Sequence, residues 1–179
     1  MEKVNRWIFY VLGMVVLAVG ITLNTKTGLG VSPIISVAYC VSQIFELNFG
    51  DMTFVLYGIF VVIELILHTI RILRGKGGDG KGKRLILVKD VLQFPLSLIF
   101  TRFLNVFSGL IPDFSDGHFA LRLAVLILAI ICTGIGAALS LNMRIIPNPG
   151  DGIVQAIADC INKSVGFTKN CFDLFNICI

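Results

Sequence analysis

The chain has 179 residues, of which 56% are apolar and 15% charged, with a formal net charge of +4; an average soluble domain is about a quarter charged. With a mean hydropathy of +0.90, this composition excludes an ordinary water-soluble domain. No cofactor and no nucleic-acid partner are expected; the expected partner is the lipid bilayer.

A hydrocarbon core about 30 Å thick calls for roughly 20 apolar residues as helix. Four stretches meet that need: Trp7–Leu23, Thr53–Leu73, Leu85–Phe107 and Phe119–Leu141. A fifth begins near Lys169 and breaks off at Ile179. The fold class is therefore an all-α polytopic membrane protein. Lys3 and Arg6 before the first run, with Ala18 and Gly20 inside it, also fit a cleaved signal peptide. The length of the run and an internal counterpart favour a retained first helix, with Asn5, Arg6 and Trp7 as an interfacial anchor.

Two shorter segments follow a different rule. Ser32-Pro33 opens a run to Phe49 containing Ser36, Ser42, Gln43 and Glu46, and Asp151-Gly152 opens a run to Val165 containing Gln155, Asp159, Asn162 and Lys163. At about 1.5 Å per residue both are short of a full span. Ser32 before Pro33 and Pro149-Gly150 before Asp151 are helix-start signals, and Gly50 and Gly166 read as C-terminal stops.

The segment Arg71–Lys89 carries seven basic residues against Asp79, with glycines at 75, 77, 78, 80 and 82. It reads as a cytoplasmic, flexible tether attracted to anionic lipid headgroups. Gly75 to Gly80 matches GxGxxG, and Gly80-Lys81 comes close to a phosphate-binding loop, but Gly82 stands where Ser or Thr should be and no strand precedes the match. Residues 108–118 hold Asp113 and Asp116 without a basic residue, as an exterior loop would.

Sliding the chain by 116 residues lays Leu12 on Leu128, Gly20 on Gly136, Leu23 on Leu139, Pro33 on Pro149 and Gly50 on Gly166, without a gap. The expected organisation is two pseudo-repeats, 1–108 and 119–179, each built as long helix, short (re-entrant or spanning) helix and two long helices. The second is incomplete at its C-terminal end. On this alignment the partner of Thr53–Leu73 begins at Lys169 and outruns the chain, so the sequence reads as a truncated product.

The run Asn24 to Pro33, with Gly28 and Gly30 inside it, and the second element Ile146 to Gly152 resemble the YczE/YitT group of bacterial integral membrane proteins. The resemblance implies a multi-pass protein of the bacterial cytoplasmic membrane. It carries no assigned activity.

Two topologies place the basic segment inside. With a cytoplasmic N-terminus and re-entrant short helices, 12 of the 15 Lys and Arg residues lie inside; with an exterior N-terminus and spanning short helices, nine do. The charge rule favours the first. Each half then makes three crossings and the halves are inverted, as in many secondary transporters. The expected function is transport of a small polar or anionic solute, bound by Asn24, Gly30, Ser32 and Pro33 from one half and Asn148, Pro149, Gly150 and Asp151 from the other. Helix N-termini suit such a solute through free N–H groups and partial positive charge. The alternative is a non-transporting accessory or scaffold protein.

Ionisable groups inside the membrane are functional candidates. Glu64 and His68, one turn apart, could share a proton. Asp159 is the third candidate for proton or ion coupling, or pairs with Lys163. Asp90 reads as a helix-start carboxylate suited to the dipole. Cys40, Cys132, Cys160, Cys171 and Cys178 form no CxxC pair, and two distant histidines give no metal-site spacing. No catalytic constellation is visible, so an enzyme is not expected.

Overall fold

A computed structural model describes residues 2–74, 80–143 and 145–179. Among them every element is helical: α1 Glu2–Lys26, α2 Pro33–Ile44, α3 Phe49–Leu73, α4 Gly80–Leu110, α5 Phe119–Asn142, α6 Pro149–Ile161 and α7 Val165–Cys178. Four of these, α1, α3, α4 and α5, are long and apolar enough to cross a bilayer. Their outer faces keep Ile59, Val62 and Ile66 on α3, and Leu128, Ile131 and Ile135 on α5, exposed, as a lipid-facing surface requires.

Helix α1 packs along α5 in the antiparallel sense. Gly13 lies against Ser140 and Gly136, and Gly20 against Thr133 and Ala129. Between helices in lipid there is little hydrophobic drive, so close backbone approach through small residues supplies the attraction. A guanidinium closes each end of this pair. Arg122 donates from Nε to the Thr27 carbonyl (2.8 Å) and from Nη2 to the Gly28 carbonyl (2.9 Å), just past the end of α1. At the opposite end Arg6 donates to the Met143 carbonyl, just past the end of α5. Terminal carbonyls lack helical partners and carry the negative end of the dipole, so an arginine satisfies both needs.

Helices α3 and α4 form an antiparallel hairpin, from Asp51 beside Arg102 (3.2 Å) at one end to His68 beside Asp90 (2.7 Å) towards the other. The ends of the bundle are thereby fixed. Loop 111–118, the C-termini of α1 and α4 and the N-termini of α3 and α5 share an acidic end. There Ser115 bonds Asp113 and Lys26 lies near it, and together they hold that carboxyl below the usual carboxylate range. The N-termini of α1 and α4 and the C-termini of α3 and α5 share the opposite, basic end.

The basic segment differs from its sequence reading. Arg71 to Leu73 finish α3 and Gly80 to Lys89 are the first turns of α4, because Lys, Arg and Leu favour helix strongly enough to carry Gly80 and Gly82. The glycines at 75, 77 and 78 lie outside the described residues, as does most of the GxGxxG match. Asp90 accordingly stands ten residues inside α4, and it is buried.

Each short helix starts in the interior and finishes at one end of the bundle, the two at opposite ends. Helix α2 begins in the interior, where Ile34 faces Gly150, and runs towards the acidic end, where Tyr39 meets Phe49 edge-on at the start of α3. Helix α6 begins beside Tyr57 and runs along α3 to the basic end, where Asp159 meets Arg71. Neither helix stops at the glycine expected from sequence. The turning residues are Glu46 (φ 52°) and Asn162 (φ 56°), in left-handed conformation. Leu47 N–H returns to the Ser42 carbonyl and Lys163 N–H to the Ala158 carbonyl, the six-to-one bond of a Schellman stop. Gly50 and Gly166 instead fall in the first turns of α3 and α7, behind the caps Asn48 and Ser164.

Asparagine tolerates the left-handed region and glutamate does so poorly. Glu46→Gly is therefore expected to raise stability by about 0.5–1 kcal/mol, read as a later midpoint of thermal unfolding in detergent; a lower midpoint would refute it.

The α2, α3, α6 and α7 starts, the two left-handed stops and the two arginine closures all recur at the 116-residue offset: Pro33 with Pro149, Glu46 with Asn162, Asn48 with Ser164, Arg6 with Arg122. Contacts are exchanged in the same way, α2 packing on α3 and α7, and α6 on α7 and α3.

Candidate functional site

Where the starts of α2 and α6 meet, a cavity of about 820 Å³ opens towards the basic end. Its deep part holds Ser32, Ile34, Tyr57, Asn148 and Gly150; Asp151, Gly152, Glu64, His68 and Asp90 line its flank; Arg71, Lys89, Asp159 and Lys169 stand nearer the basic end. The approach of the two short helices is close, since a Cβ on Gly150 would sit 2.9 Å from Ile34 Cγ2. The strand-like run before α6 is pinned by the buried Tyr10 hydroxyl, which donates to the Ile146 carbonyl at 2.9 Å.

Of the eight residues expected at a solute site, Ser32, Asn148, Gly150 and Asp151 line this cavity. Pro149 is buried directly behind it. Pro33 opens α2 without lining the cavity. Asn24 and Gly30 are held at the acidic end, Asn24 in the last turn of α1 and Gly30 exposed on the connecting turn at φ 141°.

The α6 start also differs from a bare anion cradle. Asn148 occupies its first donors: Oδ1 accepts from Gly150 N–H (3.3 Å), and the Asn148 carbonyl accepts from Asp151 (2.9 Å) and Gly152 (2.8 Å). Ser32, the corresponding cap of α2, makes no such side-chain bond.

The polar centre of the site lies on α3 and α4. Glu64 is 2% exposed and accepts from Gln93 Nε2 at 2.9 Å. His68 turns to Asp90 on α4, its Nδ1 2.7 Å from Oδ2. Both Glu64 and His68 are thus held among protein groups at helix depth. Glu64 does not snorkel to water, because Gly152 on α6 leaves just enough room for its carboxylate; a Cβ there would stand 2.6 Å from Oε2. Asp159 pairs with Arg71 (2.5 Å) and accepts from Gln155 (3.0 Å), not from Lys163. That pair is about one-third exposed, so it shapes the mouth more than it stabilises the fold.

Sequence reading missed Gln93 and misplaced Asp90, yet a signal was present. Asp90, Gln93, Ser97 and Thr101 recur every three or four residues along α4, and all four are buried. A polar stripe on one face of an apolar helix marks the side turned away from lipid.

No curated protein and no solved structure matches the chain. Residues 4–179 match DUF6198, a family of unknown function, and the chain belongs to that family.

Proposed function

We propose that this protein is a secondary transporter with two inverted halves, and that it binds a small polar solute between the starts of α2 and α6. The observation that carries the reading is that two short helices, from corresponding places in the chain, start facing each other inside a cavity and return to opposite ends. Inverted halves with interrupted helices are the arrangement in which one site can be exposed to either side by rocking. Helix starts lend partial positive charge to a carboxylate or other polar group, Ser32 and Tyr57 add hydroxyls, and Asp151 suits a donor on the same solute. Arg71, Lys89 and Lys169 at the basic end favour entry of solutes with an anionic group. Glu64 and its neighbours form the ion-coupling side of the cavity. The basic end is assigned to the cytoplasm by the charge rule, and the resemblance to the YczE/YitT group suits a bacterial inner-membrane location.

The test is side-specific labelling of single cysteines, in a background lacking the five native ones. Lys26→Cys is expected to react only from outside, Ser164→Cys only from inside, and Ser32→Cys from inside through the cavity. Lys26→Cys reacting from inside with Ser164→Cys reacting from outside would mean spanning short helices and parallel halves, and would remove the transport reading, leaving an accessory or scaffold role ahead.

A further inference from the structure

We infer that Glu64, His68 and Asp90, with Gln93, form a binding site for one divalent transition-metal ion at the junction of α3, α4 and α6. Ligand atoms of Glu64, His68 and Asp90 all lie within 4.8 Å of one another, close enough to share a single ion after small side-chain adjustments. Glu64 and His68 lie one turn apart on α3, but Asp90 is on α4, 22 residues beyond His68 in the chain, so local spacing does not reveal the third ligand.

The decisive observation is a pair of acceptors without donors. Glu64 Oε2 and Gln93 Oε1 are buried and have no hydrogen-bond partner among the described residues. Gln93 is fully buried, and both oxygens converge beside Gly152, within 2.6 and 3.0 Å of the same point. With Glu64 ionised, the two acceptors cannot satisfy each other, and a buried acceptor left alone costs stability. A cation satisfies both. Gln93 has a further part: its Nε2 holds Glu64 Oε1, which orients the carboxylate and leaves Oε2 to bind.

Charge and donor type narrow the ion. Two carboxylates with a neutral imidazole carry two negative charges, which a divalent ion balances. Imidazole suits iron, nickel, copper or zinc, whereas magnesium and calcium prefer oxygen donors alone. Binding through His68 Nδ1 would release the proton shared with Asp90 and leave one on Nε2. The cavity, which all three ligands line, supplies the entry path. This deepens the ion-coupling side of the transport reading, but binding is measured without transport, so either idea can fail alone.

The experiment uses the whole chain in detergent, with the five cysteines changed to serine and metal removed by chelator. Cobalt(II) is titrated and followed by its visible absorption, with zinc and manganese followed calorimetrically. One equivalent is expected to bind. Glu64→Gln and His68→Gln should each weaken it about 100-fold or more, and Asp51→Asn, an exposed acid at the other end, should not. Asp90→Asn serves as a second ligand variant should Glu64→Gln lose its helical signal. Absence of cobalt binding, binding that survives the ligand changes, or displacement of cobalt by equimolar sodium or calcium would each overturn the proposal.

Discussion

Gly136→Ala is expected to unseat the α1–α5 pair and to cost about 2–3 kcal/mol or more. A Cβ at Gly136 would lie 2.7 Å from Leu17 Cα and 2.8 Å from the Gly13 carbonyl. Both are backbone atoms, so no side-chain movement relieves the clash; the two helices must part. Parting them costs more than one contact, because the same seam carries Gly13, Gly20 and both arginine closures. Gly20→Ala should behave alike, its Cβ meeting Thr133 N at 2.6 Å. Gly134→Ala is the control. It is on the same helix with nothing within 4 Å of its Cβ, and it should gain up to about 1 kcal/mol from helix propensity. Unfolding midpoints in detergent for the three variants test this directly. If Gly134→Ala fell as far as Gly136→Ala, the loss would be a general effect of mutating α5 and the close seam would not be its cause.

Asp90→Ala is expected to cost about 3 kcal/mol, because it leaves His68 buried at helix depth without the carboxylate that faces it. The side chains of this pair are 11% and 3% exposed, so neither can recover full hydration by a small movement. Changing both partners, His68→Leu with Asp90→Leu, should recover at least half of that loss, since an apolar pair avoids the desolvation cost altogether. Measured in chelator, so that no cation contributes, the single and double variants form a cycle whose coupling isolates the pair. A double variant as unstable as the sum of its parts would show that the two residues do not act together.

The reasons for these two effects were unequally visible in the chain. The apolar length of α1, α3, α4 and α5 is a local property: hydrocarbon demands a continuous run, so the four spans are legible from composition alone. The start of α2 is equally local, since Ser32 before Pro33 marks it without help from neighbours, whereas α6 begins at Pro149, two residues ahead of the Asp151 at which the sequence opens that run. Gly20 and Gly136 could be marked as corresponding residues, though not as a close seam.

The helix stops needed more than sequence. Glycine is the usual left-handed residue, so Gly50 and Gly166 drew attention, yet Glu46 and Asn162 make the turns. The reason is that Asn48 and Ser164 restart a helix two residues later, and the close approach of α4 reserves Gly50 for packing. From sequence the basic segment reads as a tether, because glycine and charge usually mean solvent, whereas helix propensity continues α4 back to Gly80.

The site was decided furthest from the sequence. Glu64 and His68 were visible as intramembrane ionisable residues one turn apart. What His68 faces, how Glu64 is held in place and where Gln93 sits follow from the register of α3 against α4 and from α6 lying on Glu64 through Gly152. Likewise, the caps of α2 and α6 are each specified by their own residues, while their meeting requires α1 and α5 to run antiparallel. Sequence determined the elements one at a time, because helix length, caps and apolarity are short-range. Register and the joining of distant polar groups rest on packing between helices, and only the tertiary structure decides them.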